Sequence, residues 1–167
     1  GYNNYINRLK SDFSKTDLNN INHISLWGGE PLIGMDRFIP RINEFKELLP
    51  NLNWIDFSTN LTSSQILDLG ANANAVDIIE ELLNAISFNK NFTKKIGEYR
   101  FIDFNRGPED LNDSSRGKGV TSKILDNYNR LLKIKVPDNI KLAISTKPTL
   151  SMDSIESFKS LDYVNNY

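Results

Sequence analysis

The 167 residues contain no cysteine, which excludes disulfides, thiolate metal sites and cysteine nucleophiles from this stretch of chain. There is one histidine, His23, so multi-histidine metal sites and two-histidine acid–base chemistry are excluded as well. Charge of one sign is also lacking: 20 basic residues against 21 acidic ones leave a net charge of −1. Such a chain has no general electrostatic attraction to nucleic acid or to an anionic membrane surface. It has no apolar run long enough to span a bilayer and no apolar signal segment at its start. The expectation is a soluble, cytoplasmic protein with neither nucleic acid nor membrane as partner. The glycine patterns GxGxxG and GxxxxGK are missing too, which argues against dinucleotide and P-loop sites. Function therefore has to rest on Gly, Glu, Asn, Ser and Arg.

What is present is enough apolar character for a core. Hydrophobic residues make up 39% and charged residues 25%, a globular balance at a length that suits one domain spanning 1–167. The chain opens on Gly1 and a tyrosine- and asparagine-rich segment, GYNNYINRLK. This is read as an excerpt of a longer protein.

Apolar periods alternate along the chain. Ile6, Leu9 and Phe13 suggest a helix, and His23 to Trp27 a strand bounded by Gly28 and Gly29. Met35, Phe38, Ile39, Ile42, Phe45, Leu48 and Leu49 fall in three- and four-residue steps, a helix closed by Pro50. Trp54 to Ser58 is a second strand, and Ile78 to Ile86 a second amphipathic helix. Tyr99 to Asn105 is a third strand, followed by a helix through Ile124 and Leu132 that Thr121 or Ser122 can cap. Ile140, Leu142 and Ile144 alternate in a fourth strand, and a last helix through Ile155 and Phe158 can start at Ser151 or Asp153. The order α-β-α-β-α-β-α-β-α predicts an α/β fold with right-handed crossovers and a parallel sheet.

In such a sheet ligands bind at the carboxyl ends of the strands. Four clusters fall just after predicted strands: Gly28-Gly29-Glu30-Pro31, Ser58-Thr59-Asn60, Arg106-Gly107-Pro108 and Ser145-Thr146-Lys147-Pro148. Each alone is explained as turn chemistry; four on one edge point to a site. Two glycines let backbone approach a ligand closely, Glu30 offers a carboxylate, and Pro31 fixes the direction of the chain. A carboxylate beside carbonyls is an acceptor surface, suited to an ammonium group and not to a phosphate.

At these residues the chain resembles the radical S-adenosylmethionine enzymes. Ser25-Leu-Trp-Gly-Gly-Glu-Pro-Leu32 is similar to their second-strand motif, and Phe57-Ser58-Thr59-Asn60 to a strand ending often written Thr-Asn-Gly. The segment Gly107-Pro108-Glu109-Asp110-Leu111-Asn112-Asp113-Ser114-Ser115-Arg116 is similar to one that follows the fourth barrel strand in peptide-modifying members, including the sulfatase-maturing type. The resemblance implies a partial, TIM-like (β/α)6 barrel that binds S-adenosylmethionine. Gly28, Gly29 and Glu30, with Pro31 behind them, would hold the methionyl ammonium. Ser58 and Asn60 would lie near the sugar and sulfonium, and Arg116 near the methionyl carboxylate, where a guanidinium fits in bidentate fashion. It further implies a [4Fe–4S] cluster that reduces the sulfonium to give a 5′-deoxyadenosyl radical, an electron donor such as ferredoxin or flavodoxin, and a peptide or protein substrate.

Two features depart from the family pattern. Its C-x3-C-x2-C cluster loop is absent, so the first barrel strand and that loop are expected upstream of Gly1. Phe104 and Arg106 stand where the family has serine and aspartate, so no contact is carried over there. The alternatives are a cluster-less binding module of the same fold, or a plain α/β domain in which GGEP is only a turn. Elsewhere, His23 is read as structural, Trp27 and Trp54 as core, Lys118 as a loop charge, and Arg106 as an acid partner or a surface pair. Asp56, a carboxylate in an apolar strand, faces either solvent or a barrel interior, with solvent preferred.

Overall fold

The structure is a computed structural model that describes residues 2–26, 29–62, 74–88, 98–106, 113 and 117–148. It begins with two helices, α1 (Tyr2–Asp12) and α2 (Lys15–Asn20). The second was not anticipated, although its signal is in the sequence. Ser14 Oγ accepts from the Asp17 N–H at 3.2 Å while Asp17 Oδ2 accepts from the Ser14 N–H at 3.1 Å, a reciprocal capping box that starts a helix of only six residues.

Strand β1 (His23–Leu26) leads into a 3₁₀ turn over Pro31–Gly34, then α3 (Met35–Phe38) and α4 (Ile42–Leu48). The single long helix expected here is broken at Ile39–Arg41, again a 3₁₀ turn. Pro40 lies in that turn: it has no N–H to give to the preceding turn, and its ring crowds the carbonyl four residues back. The apolar face survives the break, since Met35, Phe38, Ile42, Phe45 and Leu49 are all buried.

The remaining elements are β2 (Trp54–Phe57), α5 (Ala75–Phe88), β3 (Glu98–Arg106), α6 (Val120–Leu131) and β4 (Lys141–Pro148). The four strands form one sheet in the order β1-β2-β3-β4, and every neighbouring pair is parallel. β1 and β2 pair along their whole length, from His23 opposite Trp54 to Leu26 opposite Phe57. β2 meets β3 at Phe57 opposite Phe101. β3 and β4 pair from Glu98 to Arg106, with a register shift between Phe101 and Asp103. Ile102 is thus a one-residue bulge, and a bulge reverses the phase of alternation for the strand beyond it. Ser145 to Pro148 lie inside β4 and not in a loop after it, so the fourth cluster extends the strand.

Period-two alternation gives β1 and β2 two different faces. Ile24, Ile55 and Phe57 are buried, and with Leu26 they join one cluster containing α1 to α6 side chains such as Leu9, Leu18, Phe38, Phe45, Leu82 and Ile124. His23, Ser25, Trp54 and Asp56 occupy the other, more exposed face. The helices therefore cover the apolar face and leave a polar one. Among the described residues no helix is long and apolar enough to cross a membrane. The expected last helix and the third cluster's Gly107 and Pro108 lie outside the described residues.

Candidate functional site

The first and second clusters meet at the carboxyl ends of β1 and β2. Glu30 is half-buried, and its side chain caps the 3₁₀ turn by accepting from the Leu32 N–H at 3.2 Å. The same oxygen, Oε1, accepts from Thr59 Oγ1 at 2.6 Å, and Oε2 accepts from the Asn60 N–H at 2.7 Å. One carboxylate thus ties the loop after β1 to the loop after β2. Gly29, just before it, has φ +57 and open space where a Cβ would be. That is the left-handed region that glycine adopts at little cost.

The loop after β2 is held from within and from without. Thr59 Oγ1 also accepts from the Leu61 N–H at 3.1 Å. Asn60 Oδ1 accepts from Thr62 N–H and from Thr62 Oγ1, both at 2.9 Å, closing an Asx turn. Leu61 has φ 55, and no other described non-glycine residue has positive φ. Its carbonyl accepts from Asn127 Nδ2 of α6 at 2.7 Å.

Of the site residues expected from the sequence, Gly29, Glu30, Pro31, Ser58 and Asn60 lie together at this edge. Gly28 and Arg116 lie outside the described residues. Thr59 and Asn127 were missed. Thr59 was in plain view between Ser58 and Asn60. Asn127 had a signal too: it falls three residues after Ile124 and four before Leu131, a polar residue on the apolar side of the helix.

Within the third segment, Asp113 is described and serves α6. Its carboxylate accepts from Thr121 N–H at 2.8 Å, from Thr121 Oγ1 at 2.7 Å and from Gly119 N–H. These bonds, those to Thr121 first, hold its carboxyl below the usual carboxylate range. The cap of α6 therefore comes from Asp113 and not from Thr121 or Ser122, while Gly119 makes the entry turn at φ 79.

On the polar sheet face, Asp56 Oδ2 lies 3.0 Å from His23 Nε2, and Asp56 Oδ1 accepts from Ser25 Oγ. The His23 ring also lies 5.1 Å from that of Trp54. Asp56 is thus paired with His23 and Ser25 on the more exposed face of the sheet. The three polar groups are not a nucleophilic triad, because serine and histidine both address the carboxylate and not each other. A cavity of about 450 Å³ opens beside His23 and Ser25, walled by Tyr5 and Leu9 of α1 and by Phe13 just after it.

No protein-family model, curated protein or solved structure matches this chain.

The edge formed by Gly29, Glu30 and Asn60 is chemically an acceptor site. An ionised carboxylate offers about four acceptor positions, and the loops occupy three of Glu30's. The fourth, beside Gly29, suits one N⁺–H. Among the described residues no group of three or more His, Cys, Asp or Glu could hold a metal ion.

Proposed function

We propose that this chain is the S-adenosylmethionine-binding portion of a radical S-adenosylmethionine enzyme that modifies a peptide or protein, built on a partial (β/α)6 barrel. The observation that carries this reading is the bond from the Asn60 N–H to Glu30 Oε2 at 2.7 Å. Two motifs separated by a whole helical crossover in sequence are thereby joined at one end of a parallel sheet, where such folds bind ligands. The sequential strand order supports the barrel component of the proposal, because a singly wound barrel adds each strand beside the last.

In this proposal Glu30 accepts from the methionyl ammonium with its remaining acceptor position, beside the backbone of Gly28 and Gly29. Pro31 and the 3₁₀ turn fix where that carboxylate sits. Ser58 and Asn60 face the sugar, and Arg116 takes the methionyl carboxylate. Bound S-adenosylmethionine would supply a sulfonium whose one-electron cleavage starts the radical chemistry. A [4Fe–4S] cluster does not fit these 167 residues, because it is held by thiolates and they contain none. The proposal therefore leaves the cluster ligands outside these 167 residues and takes a ferredoxin or flavodoxin as the electron donor.

Calorimetry with S-adenosylmethionine tests the reading. Binding that Glu30→Gln weakens and sodium chloride leaves nearly unchanged supports a sheltered ammonium contact. The absence of binding by the wild-type chain would reduce GGEP to a turn. Binding to a full-length protein without cluster cysteines would favour the cluster-less module instead.

A further inference from the structure

We propose that Asn127 and Thr59 are positioning residues that hold the loop Thr59–Thr62 in a strained shape beside Glu30, and that this shape sets ligand affinity. The inference rests on the reading of the Glu30 edge as an ammonium site, but its structural half can be measured without ligand. Leu61 is the point of strain. A leucine at φ 55 brings its Cβ against neighbouring backbone, so the conformation persists only where surroundings impose it.

Three constraints impose it here. The Leu61 side chain is wholly buried, so it cannot swing out to relieve the backbone. Its N–H is taken by Thr59 Oγ1 and its carbonyl by Asn127 Nδ2, so side chains satisfy both polar groups that a strand would otherwise pair. Thr59 and Asn127 are themselves 4% and 6% exposed, which keeps water from replacing either bond.

The consequence passes to Glu30. Thr59 Oγ1 bonds Leu61 and Glu30 Oε1 together, and the next residue, Asn60, gives its N–H to Oε2. If Leu61 relaxes toward the right-handed or extended region, the rotation has to be absorbed at its neighbours, and Asn60 is one of them. The carboxylate would then lose its orientation, not its presence. Asn127 sits 66 positions from Leu61, on α6, and touches neither Glu30 nor Asn60 in any bond described above. Its effect on ligand would be exerted through the loop alone.

The test is residue-resolved amide hydrogen exchange on the whole chain, paired with S-adenosylmethionine calorimetry. Asn127→Leu keeps the volume and removes the donor. Exchange at Asn60 and Leu61 should speed up roughly tenfold, with Ile24 and Ile55 in the strands unchanged, and affinity should fall by a similar factor. Thr59→Val should do the same from the other end of the loop, and Thr59→Ser, which retains the hydroxyl, should restore both readouts. Unchanged exchange at Asn60 and Leu61 overturns the proposal. So does faster exchange with unaltered affinity. If neither Asn127→Leu nor Thr59→Val folds, the loop belongs to the core and a separable positioning role is overturned. A wild-type chain that fails to bind the ligand defeats the ammonium reading instead, while the exchange data still decide whether Asn127 holds the loop.

Discussion

Glu30 shows how one side chain comes to serve both fold and ligand. From the sequence, a carboxylate at a strand end looks like a ligand contact that can be changed without structural cost. The structure gives it three protein donors, Leu32, Thr59 and Asn60. Glutamine has a single acceptor oxygen, and its amide nitrogen cannot accept from a hydroxyl or an N–H. Glu30→Gln should therefore destabilise the chain by about 1–3 kcal/mol in chemical denaturation, the cost of leaving a sheltered donor unpaired. It should also lower S-adenosylmethionine affinity by about 1.5–3 kcal/mol, roughly 10- to 150-fold by calorimetry. Lys46 is a second residue whose role is hidden from the sequence. It is buried at the end of α4, where Nζ donates to the carbonyls of Pro50 and Leu52 at 2.8 and 2.7 Å. Burial lowers its pKa below the usual ammonium value, so the folded state releases the proton more readily than the unfolded chain. Its contribution to stability should rise as pH climbs through the folded value toward the ordinary lysine value. Denaturation midpoints in alkaline buffers should show that rise in wild type and lose it in Lys46→Met.

At the scale of elements, legibility followed the kind of force involved. Apolar periodicity located β1, β2, α5, α6 and β4, because burial is decided by the spacing of side chains that the sequence states outright. It did not show the break at Pro40 within the Met35–Leu49 stretch, since the apolar face continues across a 3₁₀ turn. It also overlooked α2, which is specified by two polar residues more than by an apolar stripe. The start of α6 is the plainest case. Nearby Thr121 and Ser122 were natural capping candidates, yet the cap is Asp113, eight residues before Thr121. Because its carboxyl is held below the usual range in the folded chain, the cap is complete at neutral pH. It should be lost as pH falls through the ordinary carboxylate range to the folded value. The Thr121 amide signal should track that titration by NMR, and Asp113→Asn should abolish the pH dependence while loosening the first turn of α6.

The whole molecule adds what no segment states by itself. Alternation of elements implied a parallel sheet, but strand order and register are set by packing between distant segments. So is the meeting of the loops after β1 and β2, which brings Glu30 and Asn60 within bonding distance. Asn127 illustrates the remainder: a polar residue on an apolar face was visible, but its partner, Leu61, follows from the tertiary fold alone. At this scale the absence of thiolates also has a measurable consequence. Anaerobic reconstitution of these 167 residues with iron and sulfide should yield no stable, stoichiometric cluster by absorbance and iron analysis.

The order β1-β2-β3-β4 also bears on how the chain acquires its shape. Among the described residues, β2, β3 and β4 each pair with the strand made just before them. Loop closure is repeated at one helical crossover at a time, and its entropic cost grows only slowly with length. A nascent chain emerging from the ribosome can then lay β2, β3 and β4 each against the strand made just before it.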